Sequence, residues 1–147
     1  MIIESIKRLQ YLCEEIPVLL SMIPEQDFTH KSAPGKWSKK EILGHLIDSA
    51  TNNHQRFIRA QFENVPTISY DQDNWNKFSH YNLIDSKQLI LFWEIYNRHL
   101  IEIAMRIPEY SLKRECITGS EKHTIEWLFV DYVKHMEYHL RQIVSYN

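Results

Sequence analysis

This sequence predicts an all-α fold, a four-helix bundle, and three observations predict it. Only three glycines and five prolines punctuate its 147 residues, a density that suits long helices better than many strands and turns. Four stretches carry apolar residues at three- and four-residue intervals, which places them on one face of a helix. Apolar residues make up 44% of the chain, enough for those faces to close around a sizeable core unaided. One domain over residues 1–147 is expected.

The first stretch has Ile3, Ile6, Leu9, Leu12 and Ile16 in helical register and then meets Pro17. A kink, or a break into a second short helix over Val18 to Ile23, is expected there, because proline removes an amide donor and clashes with the preceding turn. Pro24 closes that segment. Ala33-Pro34-Gly35-Lys36-Trp37 reads as a connector. Ser38-Lys39-Lys40-Glu41 is a capping-box pattern, and it opens a second helix running to about Asn64 with Ile42, Leu43, Leu46, Ile47, Ala50, Phe57 and Ile58 on its apolar side. The third helix, roughly Asp85 to Ile107, has Leu89, Phe92, Trp93, Tyr96, Leu100, Ile103 and Ala104 at helical spacing before Pro108. The fourth, from about Thr124 to Val144, carries Ile125, Leu128, Phe129, Tyr132, Val133, Met136, Leu140 and Ile143. Residues 65–84 contain Tyr70, Trp75, Phe78 and Tyr81 without periodicity and read as a long loop, functional or ordered by packing. Residues 108–123 suggest a short extended excursion.

Seventeen Lys/Arg against nineteen Asp/Glu give a net charge of −2, with neither sign gathered into a block. Nucleic acid and anionic membrane are therefore not expected as partners. Two cysteines, Cys13 and Cys116, form no disulfide framework and read as reduced thiols of a cytoplasmic protein, neither of them a nucleophile. No apolar run approaches the ~18 residues that span a bilayer, and the polar start gives no sign of export.

The histidines carry the chemistry. His135 and His139 sit one turn apart near the end of the fourth helix and can aim two imidazoles at one point. His45, on the second helix, could supply a third, and three neutral imidazoles leave a tetrahedral divalent ion one open position, as in catalytic zinc sites. Eight histidines would give roughly 0.4 His-x-x-x-His pairs by chance, so this spacing alone does not decide. Asp131 lies one turn before His135, where a carboxylate can hold a ligating histidine in the right tautomer. His45 is followed by Asp48, Ser49, Asn52, Asn53 and Arg56, a polar stripe that either faces water or lines a cavity. The alternative is a satisfied core in which His45 and His135 cap hydrogen bonds while His139 is solvated. His30, His54, His80, His99 and His123 read as surface residues, with His80 within reach of a site mouth. Trp37, Trp93 and Trp127 read as core anchors and Trp75 as a pocket-lining loop aromatic.

Pro34-Gly35-Lys36-Trp37-Ser38 and Glu41-Ile42-Leu43-Gly44-His45-Leu46-Ile47-Asp48-Ser49 resemble the Pro-Gly-x-Trp-Ser/Thr and His-Leu-x-Asp-Ser/Thr signature of the DinB/YfiT-like superfamily of candidate metal-dependent enzymes. Asn53, Arg56-Phe57 and Pro66-Thr67-Ile68-x-Tyr70-Asp71-x-Asp73-x-Trp75 continue the likeness, closest to the YfiT branch with its bacillithiol-S-transferase relatives. His135-Met136-x-x-His139-Leu140-x-Gln142-Ile143 completes it. The resemblance implies an up-down-down-up four-helix bundle, a homodimer, and one divalent ion, zinc or alternatively nickel, held by His45, His135 and His139.

Two chemistries fit such an ion: a coordinated low-molecular-weight thiol attacking an electrophile, or bound water attacking an ester, amide or similar bond. Thiol transfer is the expectation, on branch resemblance. A metal-dependent hydrolase and a non-catalytic, stress-associated binding bundle are the alternatives. Asp48 and Asp131 are expected to orient ligands, Asn53 and Arg56 to bind an anionic part of a small-molecule substrate, and Tyr70 and Trp75 to shape the entrance. The segment from Val65 to Tyr81 would then wall the pocket.

Overall fold

A computed structural model gives the structure, which describes residues 2–147. Helix α1 spans Ile2–Ser21 and buries Ile6, Leu9, Leu12, Cys13, Ile16 and Leu20. It runs through Pro17 without the expected break. The carbonyl that a proline at 17 deprives of its amide partner is that of Cys13, and Arg98 Nη2 donates to it at 3.3 Å from another helix. A separate short helix, α2 (Glu25–Thr29), follows with Pro24 at its N-cap.

Helix α3 (Lys39–Arg59) opens on the expected capping box: the Ser38 hydroxyl accepts from the Glu41 amide, and the Glu41 carboxylate accepts from the Ser38 amide. It stops at Arg59, short of Asn64, because Arg114 reaches across to take the carbonyls of Ala60 at 2.7 Å and Glu63 at 2.9 Å, holding the turn in place of another helical turn. The segment expected as a loop contains α4 (Gln72–Ser79), capped by Asp71, and a 3-10 turn at Tyr81–Leu83. Helix α5 (Ser86–Ala104) starts at Asp85, which accepts from the Gln88 amide. The extended excursion is a short helix α6 (Glu109–Leu112) and a hairpin of β1 (Glu115–Thr118) and β2 (Glu121–Thr124). Thr124 then caps α7 (Ile125–Leu140).

Helices α1, α3, α5 and α7 form the bundle, with α1 and α3 each packed between α5 and α7. His45, early in α3, meets His135, late in α7, while Phe57 meets Phe129, so these two helices are antiparallel. Lys40 meets Asn82 and His54 meets Tyr96, so α3 and α5 are parallel neighbours. The long 60–85 connection is the crossover that this parallel pair requires, and the order is up-down-down-up. Trp93, Phe57, Phe129 and Leu100 sit at the centre with no exposure. Along the α3–α7 groove, Pro66 to Ile68 lies beside β1: the Ile68 amide donates to the Ile117 carbonyl and the Ile117 amide to the Pro66 carbonyl, both at 2.9 Å. No helix among the described residues is long and apolar enough to cross a membrane.

Candidate metal centre

Helix periodicity puts His135 and His139 on the α7 face that meets α3, and the antiparallel pairing brings His45 to the same point. The ring centroids are 5.2 Å apart for His45–His135, 4.7 Å for His45–His139 and 4.6 Å for His135–His139. One nitrogen of each ring lies within 4.8 Å of the other two. His45 Nε2 and His135 Nε2 are 3.4 Å apart. That is longer than a good N–H···N hydrogen bond and matches the edge, about 3.3–3.4 Å, of a tetrahedron around an ion with metal–nitrogen distances near 2.0–2.1 Å.

Electrostatics agree with a cation rather than with protonated rings. Burial, reinforced by the other two histidines, drives the His45 imidazole down to about 3. Burial and His139 also lower His135, against an opposing pull from Asp131. Both rings are thus neutral near pH 7 and keep a lone pair for a ligand. His139 Nδ1 sits 3.1 Å from Gln142 Oε1; as the donor in that contact it leaves Nε2 as the ligating atom. His45 is buried beneath the Trp37 ring, 4.8 Å away, and its Nδ1 has no hydrogen-bond partner among the described residues. The donor set therefore fits one ion of the zinc or nickel type.

Beside His135 the α3–α7 groove opens into a cavity of about 180 Å³ that Asn53, Arg56, Tyr70 and Asp131 help to line. Of the polar stripe after His45, Ser49, Asn53 and Arg56 line this cavity, whereas Asp48 and Asn52 are buried without lining it. Arg56 donates through Nε and Nη2 to the Ile68 carbonyl at 3.1 and 2.9 Å, and through Nη1 to Asn53 Oδ1 at 3.3 Å. Asn53 directs its own amide to Ser49 at 2.9 and 3.3 Å, so it holds Arg56 rather than pointing donors at a ligand. Trp75 stands behind the cavity wall, its ring edge-on to Tyr70 at 5.7 Å.

Asp48 is bonded to the Tyr81 hydroxyl and, among the described residues, to no histidine, and its second oxygen has no hydrogen-bond partner among them. Asp131 lines the cavity and acts on His135 through charge. His80 is exposed at the end of α4, in the left-handed region, and lines no part of this cavity. Trp37 is half-buried over the His45 ring rather than a core anchor, and His54 is half-buried with Nδ1 2.9 Å from the Tyr96 hydroxyl rather than at the surface. Trp127 is 44% exposed rather than a core anchor, and His123 stacks on it with ring centroids 3.6 Å apart. Both line the cavity. The signal was present: Trp127, Asp131, His135 and His139 recur every fourth residue on one stripe of α7. A larger cavity, about 780 Å³ between Ile6 and Ala104, lies at the other end of the bundle, away from the histidines.

The sequence pattern of the DinB superfamily matches residues 5–143. The chain belongs to the DinB superfamily. Among similar proteins, OB0413 of Oceanobacillus iheyensis, described as an inferred metal-dependent hydrolase, is 22% identical over 149 aligned positions covering 95% of this chain and 82% of the relative. YfiT of Bacillus subtilis, described in the same terms, is 25% identical over 140 positions, 90% of this chain and 78% of YfiT. The solved structure of YfiT, an unusual four-helix bundle, superposes with a TM-score of 0.87 at 19% identity, covering 97% of this chain and 83% of the other. That likeness shows the four-helix bundle fold.

Proposed function

We propose that this chain is a metal-dependent hydrolase of small molecules whose divalent ion, zinc or alternatively nickel, is held by His45, His135 and His139. The observation that carries this reading is the convergence of three histidine nitrogens within 4.8 Å, beside a cavity and, among the described residues, with no fourth histidine, cysteine or carboxylate in the group. Relatives described as inferred metal-dependent hydrolases support it. They give no support to thiol transfer, the reaction expected from branch resemblance, and the hydrolytic alternative takes its place.

When bound, such an ion lowers the pKa of water toward ~7 and polarises a carbonyl or phosphoryl oxygen. The chain's own residues supply the rest. Asp131, the one carboxylate lining the cavity, is placed to accept a proton from attacking water at its carboxylate oxygens. Asn53 and Ile68 hold the Arg56 guanidinium at the wall, where it orients a polar substrate group. Tyr70 and Trp127 exclude bulk water.

Elemental analysis of protein purified without chelator, and again after reloading with zinc or nickel, tests the ligand set: about one ion per chain is expected, lost in His135→Ala. Chromogenic esters, anilides and phosphoesters then test the reaction, with turnover expected to follow metal content. No stoichiometric metal, or turnover indifferent to chelation and to His135→Ala, overturns the reading in favour of a non-catalytic bundle.

A further inference from the structure

Arg56 differs from most arginines of this chain. Those at 8, 59, 98, 106 and 141 each face a glutamate at 3.2 Å or closer. Arg56 is half-buried, and among the described residues no carboxylate lies within ion-pair distance of it. Removing a guanidinium from water is costly unless an anion compensates; its bonded partners, the Ile68 carbonyl and the Asn53 amide oxygen, carry no net charge, and Asp131 on the same cavity acts on it through charge alone, without an ion-pair contact. Of its five N–H donors, Nε, one on Nη1 and one on Nη2 are engaged. One on each terminal nitrogen remains, and the side chain lines the cavity next to His135.

The walls have a complementary character. Tyr70, supported edge-on by Trp75, and Trp127, stacked on His123 at 8°, present ring surfaces to the same space. At about 180 Å³ the cavity is smaller than the ~300 Å³ lower end of drug-sized pockets, so it suits one small ring or chain bearing one head group. A charged guanidinium with a donor left on each terminal nitrogen matches a carboxylate better than it matches a neutral amide.

We propose that this cavity takes a small organic anion, its carboxylate on the two remaining donors of Arg56 and its flat apolar body against Tyr70 and Trp127. Arg56 is then the residue that selects anionic over neutral substrates. The consequence for turnover rests on the hydrolytic reading above, but the docking requires only the cavity.

The test uses the full chain as purified, with benzoate and its neutral counterpart benzamide as probes at pH 7.5, read by calorimetry and by tryptophan fluorescence. Benzoate is expected to bind at least tenfold more tightly. Arg56→Gln should bring the ratio to about one with helical circular dichroism intact, and Trp127→Ala should weaken both probes alike. If Arg56→Gln does not fold, Arg56→Lys keeps the charge without the fork, and the ratio should fall at least threefold. His135→Ala separates this proposal from the hydrolytic one: the preference persists there if Arg56 holds the anion and vanishes if a metal ion does. Equal binding of the two probes, no binding of either at tens of millimolar, or a preference that survives loss of Arg56 overturns the proposal.

Discussion

The ring of Tyr81 lies against Gly44 so closely that a Cβ at position 44 would overlap it, and the hydroxyl of the same side chain donates to the buried carboxylate of Asp48. Gly44 has ordinary helical geometry, so its lack of a side chain serves the ring and not the backbone. This contact fixes the 3-10 turn onto α3 one residue before His45. Gly44→Ala must move Tyr81 or the helix, and overpacking of this kind costs about 2–3 kcal/mol. A fall in unfolding free energy of that size, read as a lower urea midpoint at unchanged m, is expected, together with weaker metal retention because His45 shifts with the helix. An unchanged midpoint would show that Tyr81 swings away freely.

Asp48 should give a pH signature. It is 3% exposed, and burial, opposed by the Tyr81 hydrogen bond, raises its carboxyl from 3.8 to about 6. The folded chain therefore holds that proton more tightly than the unfolded chain does. The stability contribution is complete below about 3.8 and is lost as pH rises through about 6. Two units of difference correspond to about 2–3 kcal/mol. Asp48→Asn keeps an acceptor for Tyr81 and cannot ionise, so the variant should gain on the parent by about that amount between pH 4 and 7. The comparison between the two proteins cancels the titration of the histidines. A difference in unfolding free energy that is flat across this range would refute the assignment.

The bundle was legible because its information is local. Apolar stripes mark α1, α3, α5 and α7, and the caps at Ser38, Asp85 and Thr124 lie where sequence chemistry places them. What was missed depends on distant partners. The helix survives Pro17 with the Cys13 carbonyl served by Arg98 from α5, and α3 ends early where Arg114 takes its last carbonyls. Helix α4 buries only Asn76, whose amide donates to the Glu41 carbonyl, so no apolar period announces it. The same division holds in the site. His45, His135 and His139 follow from spacing and resemblance, whereas Trp127 and His123 were assigned by residue type although Trp127 lies on the Asp131–His135–His139 stripe.

Gln142 is the neighbour expected to matter most for His139. Its side-chain oxygen lies 3.1 Å from His139 Nδ1 and can hold a proton there, which fixes the tautomer that presents Nε2. Neither Asp48 nor Asp131 makes such a bond to a histidine. Gln142→Ala should lower metal affinity about tenfold, the modest end of such effects because the contact is exposed, and leave thermal stability of the stripped protein unchanged. Gln142→Glu should restore or exceed the parental affinity. Competition with a chromophoric chelator measures both, and parental affinity in Gln142→Ala would assign the orientation of His139 to packing alone.

Val65 adopts φ 43°, a left-handed conformation that a β-branched side chain reaches only with strain of about 1–3 kcal/mol. It stands immediately before Pro66, where the chain turns from α3 into the cavity wall. Val65→Gly removes the steric cost but adds unfolded-state freedom, worth about 1 kcal/mol in the opposite sense. Val65→Asn tolerates this conformation without that entropy, and should raise stability by about 1 kcal/mol in urea unfolding while leaving metal binding unchanged. Destabilisation by Asn would mean that the isopropyl group contributes packing exceeding its strain.

Metal removal separates a functional ion from a structural one. The core is built from residues such as Leu9, Leu46, Phe57, Trp93 and Phe129, all essentially without exposure and none of them dependent on a ligand. The three histidines join only α3 and α7, and His135 and His139 are half-buried at the groove. A chain of this size does not need an ion to close its core, in contrast to a zinc finger. Chelation should therefore leave the helical circular dichroism intact. It should still lower Tm, because an ion at a hundred times its Kd stabilises the folded state by about 2.7 kcal/mol, which for a domain of this length is roughly 5–10 °C. His45→Ala should show the lower Tm from the outset and no response to added zinc. Collapse of the helical signal on chelation would make the ion part of the fold, and a Tm indifferent to zinc, nickel and chelator alike would remove it from the three-histidine site.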